Sequence, residues 1–372
     1  MLTRRAFAGR LGFAATAAGM FSEMAYAQRA AIDPKTLPKD MVWLNANENP
    51  AGPPPASLKA MADILPTTGR YHYQEFGDFY TTLAASEDLA REQMLVGSGS
   101  TESLHAAVEA FTSSTKPLIT VMPTYEAPPE LAKASGRSVI TLPLTDKYTA
   151  DVHKLVAEAD KAGGGLIYLC NPNNPTANVT PKADVAWLVA NLPPNTVALF
   201  DEAYIHFAET SDIESALTYV RQGKDVVVTR NFSKIYGMAG LRAGFAAARP
   251  DLIQKMAPFR NNVISWVTAQ AVLAAIADKN LVAQRKAVYT KTRAELCAWM
   301  TKKGLTYIET QANFVMIDVG RDVRDFGRQM AQAGVAVGRP FPPLEKMLRV
   351  TIGTDQDMAK FREVFWSVYQ KA

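Results

Sequence analysis

Lys234 and Arg242 stand eight residues apart in the stretch "NFSKIYGMAGLRAGF", which follows the apolar run "DVVVT". Gly237, Gly240 and Gly244 in this stretch allow the backbone to approach a ligand closely. A lysine amine can form a Schiff base with an aldehyde, and a planar guanidinium binds phosphate through paired hydrogen bonds. Ordinary surface charge explains the two side chains equally well when they are taken alone. The stretch therefore predicts a covalent attachment point beside an anion site only if other reactive side chains lie nearby.

Polar side chains follow five apolar runs of the sequence at the point where each run ends. The runs are mostly continuous rather than alternating, which is typical of strands buried on both faces of a sheet. Because ligands of open α/β sheets bind at the carboxyl ends of the strands, we expect these side chains to share one site. The runs and the segments after them are "QMLV" with "GSGSTES", "PLITVM" with "PTYEAP", "GLIYLC" with "NPNNPT", "TVALF" with "DEAY", and "DVVVT" with "RNFSK".

The segment "GSGSTES" opens a helical pattern, so Ser100 and Thr101 would present backbone N–H groups and the helix dipole to an anion. A simple helix N-cap fits the segment as well as an anion site does. The segment lacks the lysine of a P-loop, and Glu102 stands where the third glycine of a dinucleotide fingerprint belongs. A nucleotide-dependent oxidoreductase is therefore disfavoured.

Asp201 ends an apolar strand pattern, where an unpaired carboxylate would be costly. It fits a helix cap or a buried ion pair, and it also fits a partner for a protonated ring nitrogen, which pyridoxal phosphate requires. Tyr204 and Asn174 can hydrogen-bond a phenolate oxygen. Tyr125 could stack on a ring or simply pack in a loop.

Together these segments resemble a fold-type I pyridoxal-phosphate aminotransferase of class I/II, and most of all the histidinol-phosphate aminotransferase family. The resemblance runs from "LNANENPAGPPP" through "GRYHY", "NPNNPT" and "DEAY" to "SKIYGMAGLRAG", "ANFVMIDV" and "LRVTIGT". It implies pyridoxal 5′-phosphate as the cofactor, no metal, and ping-pong transfer of an amino group from a donor to a 2-oxo acid such as 2-oxoglutarate. A decarboxylase similar to the threonine-phosphate decarboxylases and a non-catalytic binding protein of the same fold are the alternatives.

The resemblance also implies a role for each matching residue. Lys234 would carry the Schiff base and Asp201 would contact the pyridine nitrogen, with Tyr204 as the third catalytic residue. The cofactor contacts would come from Ser100, Thr101, Tyr125, Asn174, Asp201, Tyr204, Ser233, Lys234, Arg242 and Tyr71, and the substrate contacts from Arg349 and Asn47. Tyr71, in "GRYHY", would reach the phosphate of the neighbouring subunit, which implies a homodimer with shared active sites.

Some positions depart from the family pattern. Ala177 stands where glycine is usual after N-P-T, and Asn231 where threonine or serine is usual. Ala51 follows "NENP", where a large side chain is common. Arg339, in "GRPFPPLEKM", is shifted within a segment that normally carries a substrate-binding arginine. Because of Ala51 and Arg339, an aromatic or other plain amino acid is an alternative donor to histidinol phosphate.

The first 27 residues predict an export signal. They combine a basic start, an apolar run over residues 11–20 and the ending "AYA", which is the layout of a cleaved signal peptide. Arg4 and Arg5 favour the twin-arginine route and therefore a periplasmic enzyme. A cytoplasmic protein with a basic terminus is the alternative.

The composition is that of a globular protein: the 372 residues are 48% hydrophobic and 20% charged, and the formal net charge of +4 gives no nucleic-acid or membrane-surface footprint. Cys170 and Cys297 are too few for a disulfide framework. Alternating strand and helix patterns predict a three-layer α/β/α large domain with a mostly parallel sheet, plus a smaller α+β domain. The predicted division is a signal peptide at 1–27, an irregular N-terminal arm at 28–56, a large cofactor-binding domain at 57–255 and a small C-terminal domain at 256–372.

Overall fold

The computed structural model describes Pro38 and residues 40–260 and 263–370. The predicted signal peptide at 1–27 and the first part of the predicted arm lie outside these residues. Within the described part of the chain, no helix combines the length and the apolar character needed to cross a membrane.

The strands of the described residues form sheets of seven, three and two strands. In chain order they are β1 Val42–Leu44, β2 Met94–Ser98, β3 Leu118–Met122, β4 Val139–Pro143, β5 Gly165–Cys170, β6 Thr196–Asp201, β7 Val226–Asn231, β8 Ala243–Ala248, β9 Tyr307–Ile308, β10 Phe314–Asp318, β11 Val335–Val337 and β12 Met347–Thr351.

The α-helices surround these sheets. They are α1 Pro55–Ile64, α2 Phe76–Ser86, α3 Ser100–Phe111, α4 Ala127–Ala134, α5 Val152–Lys161, α6 Lys182–Ala190, α7 Leu217–Arg221, α8 Pro250–Met256, α9 Trp266–Ala277, α10 Leu281–Lys302, α11 Val323–Gln332 and α12 Asp355–Tyr369.

The seven-stranded sheet has the order β2-β8-β7-β6-β5-β3-β4. Strands β7, β6, β5, β3 and β4 run parallel, whereas β8 runs antiparallel to both β7 and β2. The predicted α/β class with a mostly parallel sheet is confirmed. Strand β4 was not among the predicted strands, because it is a partly buried edge strand whose apolar run is interrupted by Thr141 and ends at Pro143.

Strand β5 shows why the inner strands have continuous apolar sequences. All six of its residues are buried. Ile167 and Leu169 pack into one apolar cluster, while Leu166 and Tyr168 pack into the other, on the opposite face of the sheet. Each such aliphatic side chain contributes about 2 kcal/mol when it leaves water, so both helical layers stabilise the same strand.

The predicted irregular arm contains regular structure. Its segment Val42–Leu44 forms β1, which pairs in parallel with β11 from the far end of the chain. Helix α1 begins at Pro55, since a proline in the first turn removes only an N–H that has no intrahelical partner. The boundaries predicted for the arm, the large domain and the small domain remain predictions. The three-stranded sheet, in the order β12-β10-β9, is antiparallel.

The parallel strands bring their carboxyl ends to one edge of the large sheet. Asp201, the last residue of β6, pairs with Cys170 of β5 on one side and with Thr229 of β7 on the other. The segments that follow β5, β6 and β7 therefore begin side by side, as the position of their polar residues predicts.

Candidate active site

Lys234 lies just after β7, among groups from two other segments. Its Nζ donates a hydrogen bond to the carbonyl oxygen of Ala46, at 3.2 Å. The same atom lies 5.8 Å from the centre of the Tyr204 ring. The Lys234 charge also acts to lower the pKa of Asp201, although burial outweighs it. The amine, the phenol and the carboxylate thus share one site.

Asp201 is a buried carboxylate held by neutral donors. It is 2% exposed. It accepts hydrogen bonds from Thr229 Oγ1 at 3.3 Å, Tyr168 Oη at 3.4 Å and the Ala203 backbone N–H at 3.2 Å. Burial raises its pKa to about 6 in spite of these donors. A cationic partner such as a protonated ring nitrogen would satisfy this carboxylate.

Tyr204 is 4% exposed, and its hydroxyl oxygen accepts a hydrogen bond from Asn47 Nδ2 at 3.1 Å. Burial raises the pKa of this hydroxyl, so the phenol is neutral at ordinary pH. The contact between Asn47 and the substrate, which the family resemblance implies, remains a prediction. In the structure the Asn47 side chain contacts Tyr204 and Thr351.

Arg349 of β12 reaches Asn174 in the loop after β5. Its Nη1 donates to Asn174 Oδ1 at 2.7 Å and its Nη2 donates to the carbonyl oxygen of Asn45 at 2.7 Å. The Arg349 Nε is buried without a hydrogen-bond partner among the described residues. Burial lowers the pKa of Arg349 to about 10; Tyr204 and the Glu126 carboxylate act to raise this pKa, and the charge of Arg339 acts to lower it. Both terminal nitrogens thus contact neutral oxygens, so the guanidinium is suited to an anionic ligand.

Arg242 lies against the start of α3, which carries Ser100 and Thr101 as its first residues. A Cβ atom built on Gly99 would lie 3.1 Å from Arg242 Cζ, and one built on Gly244 would lie 2.6 Å from the Gly99 carbonyl carbon. Glycine is required at both positions because any side chain would fill this narrow space. The guanidinium and the helix N-terminus together form a cradle for an anion.

Ser233 lies in the loop just before Lys234, and Tyr125 borders the cradle. The Ser233 backbone N–H donates to Asn231 Oδ1 at 3.0 Å, a local turn that starts the loop to Lys234. Asn231, which departs from the family pattern, therefore supports the loop. The Tyr125 hydroxyl lies 3.5 Å from Thr101 Oγ1, which places this tyrosine beside the start of α3.

Ala177 is strained where the family usually has glycine. Its φ of 64° lies in the left-handed region, and the residue is fully buried. Its N–H nevertheless donates to the Asn173 carbonyl oxygen at 2.7 Å. A non-glycine residue in this conformation costs about 1–2 kcal/mol. Alanine at this position therefore strains the loop that carries Asn174.

Tyr71 is not brought together with the other predicted site residues. It is 78% exposed, and its ring stacks on Tyr73 with centroids 5.1 Å apart. A cofactor contact by Tyr71 would require a second subunit.

Glu126 lies at the border of the site. Its role was not predicted from the sequence, although it directly follows Tyr125 in "PTYEAP". Its carboxylate forms an ion pair with Arg339. The Arg339 guanidinium lies 4.3 Å from the centre of the Phe341 ring, and that of Arg349 lies 4.7 Å from the same centre. The two arginines thus share one aromatic ring, and one of them has an acidic partner.

The side chains fit pyridoxal phosphate. The cradle at Arg242 suits its phosphate, the buried carboxylate of Asp201 suits its ring nitrogen, and Lys234 supplies the amine for its aldehyde. Tyr204 and Asn174 supply polar groups for the ring oxygen. The described residues contain no group of three His, Cys, Asp or Glu side chains that could hold a metal ion.

Comparison with known proteins identifies the family. The sequence profile of the family described as aminotransferase class I and II matches residues 39–365. The chain belongs to this family. The aminotransferase is 32% identical over 336 residues to a histidinol-phosphate aminotransferase of Moorella thermoacetica, with 87% of this chain and 84% of the relative covered. It is also 32% identical over 323 residues to an aromatic amino acid aminotransferase of Cutibacterium acnes, with 86% and 90% covered.

A solved structure shows the same fold. The histidinol-phosphate aminotransferase of Sinorhizobium meliloti in complex with pyridoxal-5′-phosphate superposes with a TM-score of 0.83 at 24% identity, covering 91% of this chain and 95% of that chain. The predicted activity and cofactor are confirmed at the level of the family: the protein is a pyridoxal-phosphate-dependent aminotransferase, similar to histidinol-phosphate aminotransferases. The two relatives are named for different donors at the same identity, so the donor must be argued from the site.

Proposed function

We propose that this aminotransferase moves an amino group from an amino acid to 2-oxoglutarate, with Arg349 binding the carboxylate of each. The environment of Arg349 supports this most. The side chain is 8% exposed, and its two terminal nitrogens donate to the neutral oxygens of Asn174 and Asn45. A buried guanidinium whose terminal nitrogens donate to neutral oxygens is costly, and a bidentate carboxylate satisfies it.

In this proposal each side chain of the site has one task. Lys234 would hold the cofactor through its aldehyde, and its amine would take the proton from the donor Cα. Asp201 holds the proton on the ring nitrogen, while Tyr204 and Asn174 stabilise the ring oxygen. Arg242 and the start of α3 bind the phosphate. When bound, the cofactor supplies an electron sink for the donor Cα.

The donor that we propose has an apolar or aromatic side chain. The Glu126–Arg339 ion pair supports this, because the second arginine near the site already has a carboxylate partner and is therefore less available to a phosphate. Phe341, which is 3% exposed, packs against both guanidinium groups and belongs to an apolar cluster at this border of the site. Histidinol phosphate, the donor named for one of the relatives, is the competing candidate.

A panel of donors tests this choice. With 2-oxoglutarate as acceptor, we expect an aromatic or aliphatic amino acid to exceed histidinol phosphate in kcat/KM by about tenfold or more, which is about 1.4 kcal/mol. Glu126→Gln should raise kcat/KM for histidinol phosphate relative to phenylalanine, because Arg339 then lacks its acidic partner. Glu130→Gln, in the helix α4 that directly follows Glu126, is the control for a lost charge. A tenfold preference of the unaltered enzyme for histidinol phosphate would exclude the proposed donor class.

We also propose a homodimer in which Tyr71 contacts the cofactor phosphate of the partner. The exposure of the Tyr71 and Tyr73 pair supports it, since stacked exposed aromatic rings are typical of protein interfaces. Leu58 and Leu65 are further exposed apolar residues, in or directly after α1.

Mixed dimers test the shared site. A Tyr71→Phe chain paired with a Lys234→Ala chain should keep one complete site, because Lys234 of the first chain meets Tyr71 of the second. At limiting cofactor, we expect the mixed dimer to show about half of the turnover of the unaltered homodimer. Homodimers of Tyr71→Phe should bind the cofactor more weakly than the unaltered homodimer. Tyr73→Phe is the matched control within the same stack. A fully active monomer, or a mixed dimer that binds cofactor as weakly as Tyr71→Phe, would rule out shared sites.

We further propose export to the periplasm by the twin-arginine route, which carries folded proteins. The layout of residues 1–27 supports this, and a route for folded proteins suits an enzyme that takes up its cofactor before export. Sequencing the N-terminus of protein from the periplasmic fraction should identify Gln28 as the first residue. Full-length protein confined to the cytoplasm would contradict this.

A further inference from the structure

Asn47 lies beside the proposed cofactor site and uses both its backbone and its side chain in hydrogen bonds. It is 1% exposed and has a φ of 54°, a left-handed conformation that asparagine tolerates better than most residues. Its backbone N–H donates to Thr351 Oγ1 at 2.9 Å, and its carbonyl oxygen accepts from Asn313 Nδ2 at 3.0 Å. Its side chain donates to the Tyr204 hydroxyl at 3.1 Å and accepts from Thr351 Oγ1 at 3.3 Å. Every polar atom of the residue is therefore in use.

These bonds determine which way the Asn47 amide faces. A threonine hydroxyl has one hydrogen, and Thr351 Oγ1 already accepts the backbone N–H of Asn47. In the structure this hydroxyl donates its hydrogen to Asn47 Oδ1. The Asn47 amide nitrogen therefore faces Tyr204 in the structure, and because an amide nitrogen only donates, the Tyr204 oxygen accepts. The single hydrogen of the Tyr204 hydroxyl is left for another acceptor.

We propose that Asn47 is a positioning residue that directs the Tyr204 hydroxyl hydrogen to the ring oxygen of the cofactor, and that Thr351 sets the orientation of Asn47. The inference rests on the proposed function, in which Tyr204 contacts that oxygen. Thr351 and Arg349 belong to the same strand, β12. One strand therefore carries both the proposed carboxylate-binding arginine and the hydroxyl that orients the tyrosine.

A pH titration of the absorbance of the bound cofactor tests the inference. A hydrogen bond donated to the ring oxygen stabilises its negative charge, so losing that bond should raise the pKa of the chromophore by about one unit. Tyr204→Phe gives the full shift. Thr351→Val should shift the pKa in the same direction, because the Asn47 amide can then turn its oxygen to Tyr204. Thr351→Ser restores the hydroxyl and should titrate like the unaltered protein.

Asn47→Asp provides the stronger change, since an ionised carboxylate only accepts and would take the Tyr204 hydrogen. In a double-mutant cycle, Asn47→Asp alone should raise the chromophore pKa. Added to Tyr204→Phe, it should change that pKa little further. An equal shift in both backgrounds would mean that the new charge acts directly, which overturns the inference.

Asn313→Ala separates orientation from simple anchoring of the arm. It removes a bond to the Asn47 backbone and leaves the bonds of the Asn47 side chain in place. We expect a lower unfolding temperature with an unchanged titration. A shift as large as that of Thr351→Val would assign Asn47 a merely structural role. If Tyr204→Phe itself leaves the titration unchanged, the role of Tyr204 in the proposed function fails and the inference fails with it. A shift in Tyr204→Phe without one in Thr351→Val overturns the Asn47 inference alone.

Discussion

Replacing Lys234 by alanine should abolish transamination, with a loss of about 10⁴-fold or more, because both the covalent attachment and the proton transfer at the donor Cα depend on its amine. The purified variant should also lose the absorbance that the protein shows when cofactor is attached to the lysine. Steady-state turnover with 2-oxoglutarate and the absorbance spectrum after dialysis are the two measurements.

Lys234→Arg and Lys224→Ala are the matched variants for this test. Arginine keeps the positive charge near Asp201 and Tyr204 but does not serve as the nucleophile, so it should be as inactive as alanine. Lys224 is an exposed lysine just before β7, and its removal should leave turnover unchanged. Turnover by Lys234→Ala at a rate near that of the unaltered enzyme would show that another residue carries the reaction.

Replacing Asp201 by asparagine should lower kcat/KM by about 10²–10³-fold, because a neutral amide no longer holds a proton on the ring nitrogen. The amide keeps the size of the carboxyl group and can still accept from Thr229 and Tyr168, so the fold should persist. Parallel measurement of cofactor affinity separates weaker binding from slower chemistry. An Asp201→Asn enzyme with unaltered kcat would contradict the assigned role.

The same substitution should change how stability depends on pH in the cofactor-free protein. Burial raises the pKa of Asp201 to about 6 in the folded state, whereas an unfolded aspartate titrates near 3.9. The folded state therefore binds more protons than the unfolded state between about pH 4 and pH 6. This group's contribution to the free energy of unfolding is greatest below that window and decreases as pH rises through it, by up to about 3 kcal/mol.

Denaturant unfolding of the cofactor-free protein at pH 4, 5, 6 and 7 measures this contribution. Asp201→Asn should lose the decrease and should gain stability relative to the unaltered protein as pH rises. Asp146→Asn, which removes an exposed carboxylate, is the control. Parallel pH profiles for Asp201→Asn and the unaltered protein would show that Asp201 does not titrate in this range.

Local patterns in the sequence predict most strands of the large sheet and the edge at which its polar residues collect. A strand buried on both faces needs a continuous apolar run, as in β5, and this requirement is visible without knowing the neighbours. The polar residues at the ends of such runs could then be assigned to one edge of the sheet. The eight-residue spacing of Lys234 and Arg242 is likewise local, because one loop after β7 carries both.

The tertiary structure alone decided the contacts between segments that lie far apart in the chain. Strand β1 is too short to show a period, and its partner β11 comes from the other end of the protein. The orientation of Tyr204 by Asn47 and Thr351 depends on three separate segments meeting. The Glu126–Arg339 ion pair joins the start of α4 to the segment before β12. No local pattern predicts these contacts, because each depends on how the arm and the C-terminal strands pack against the large sheet.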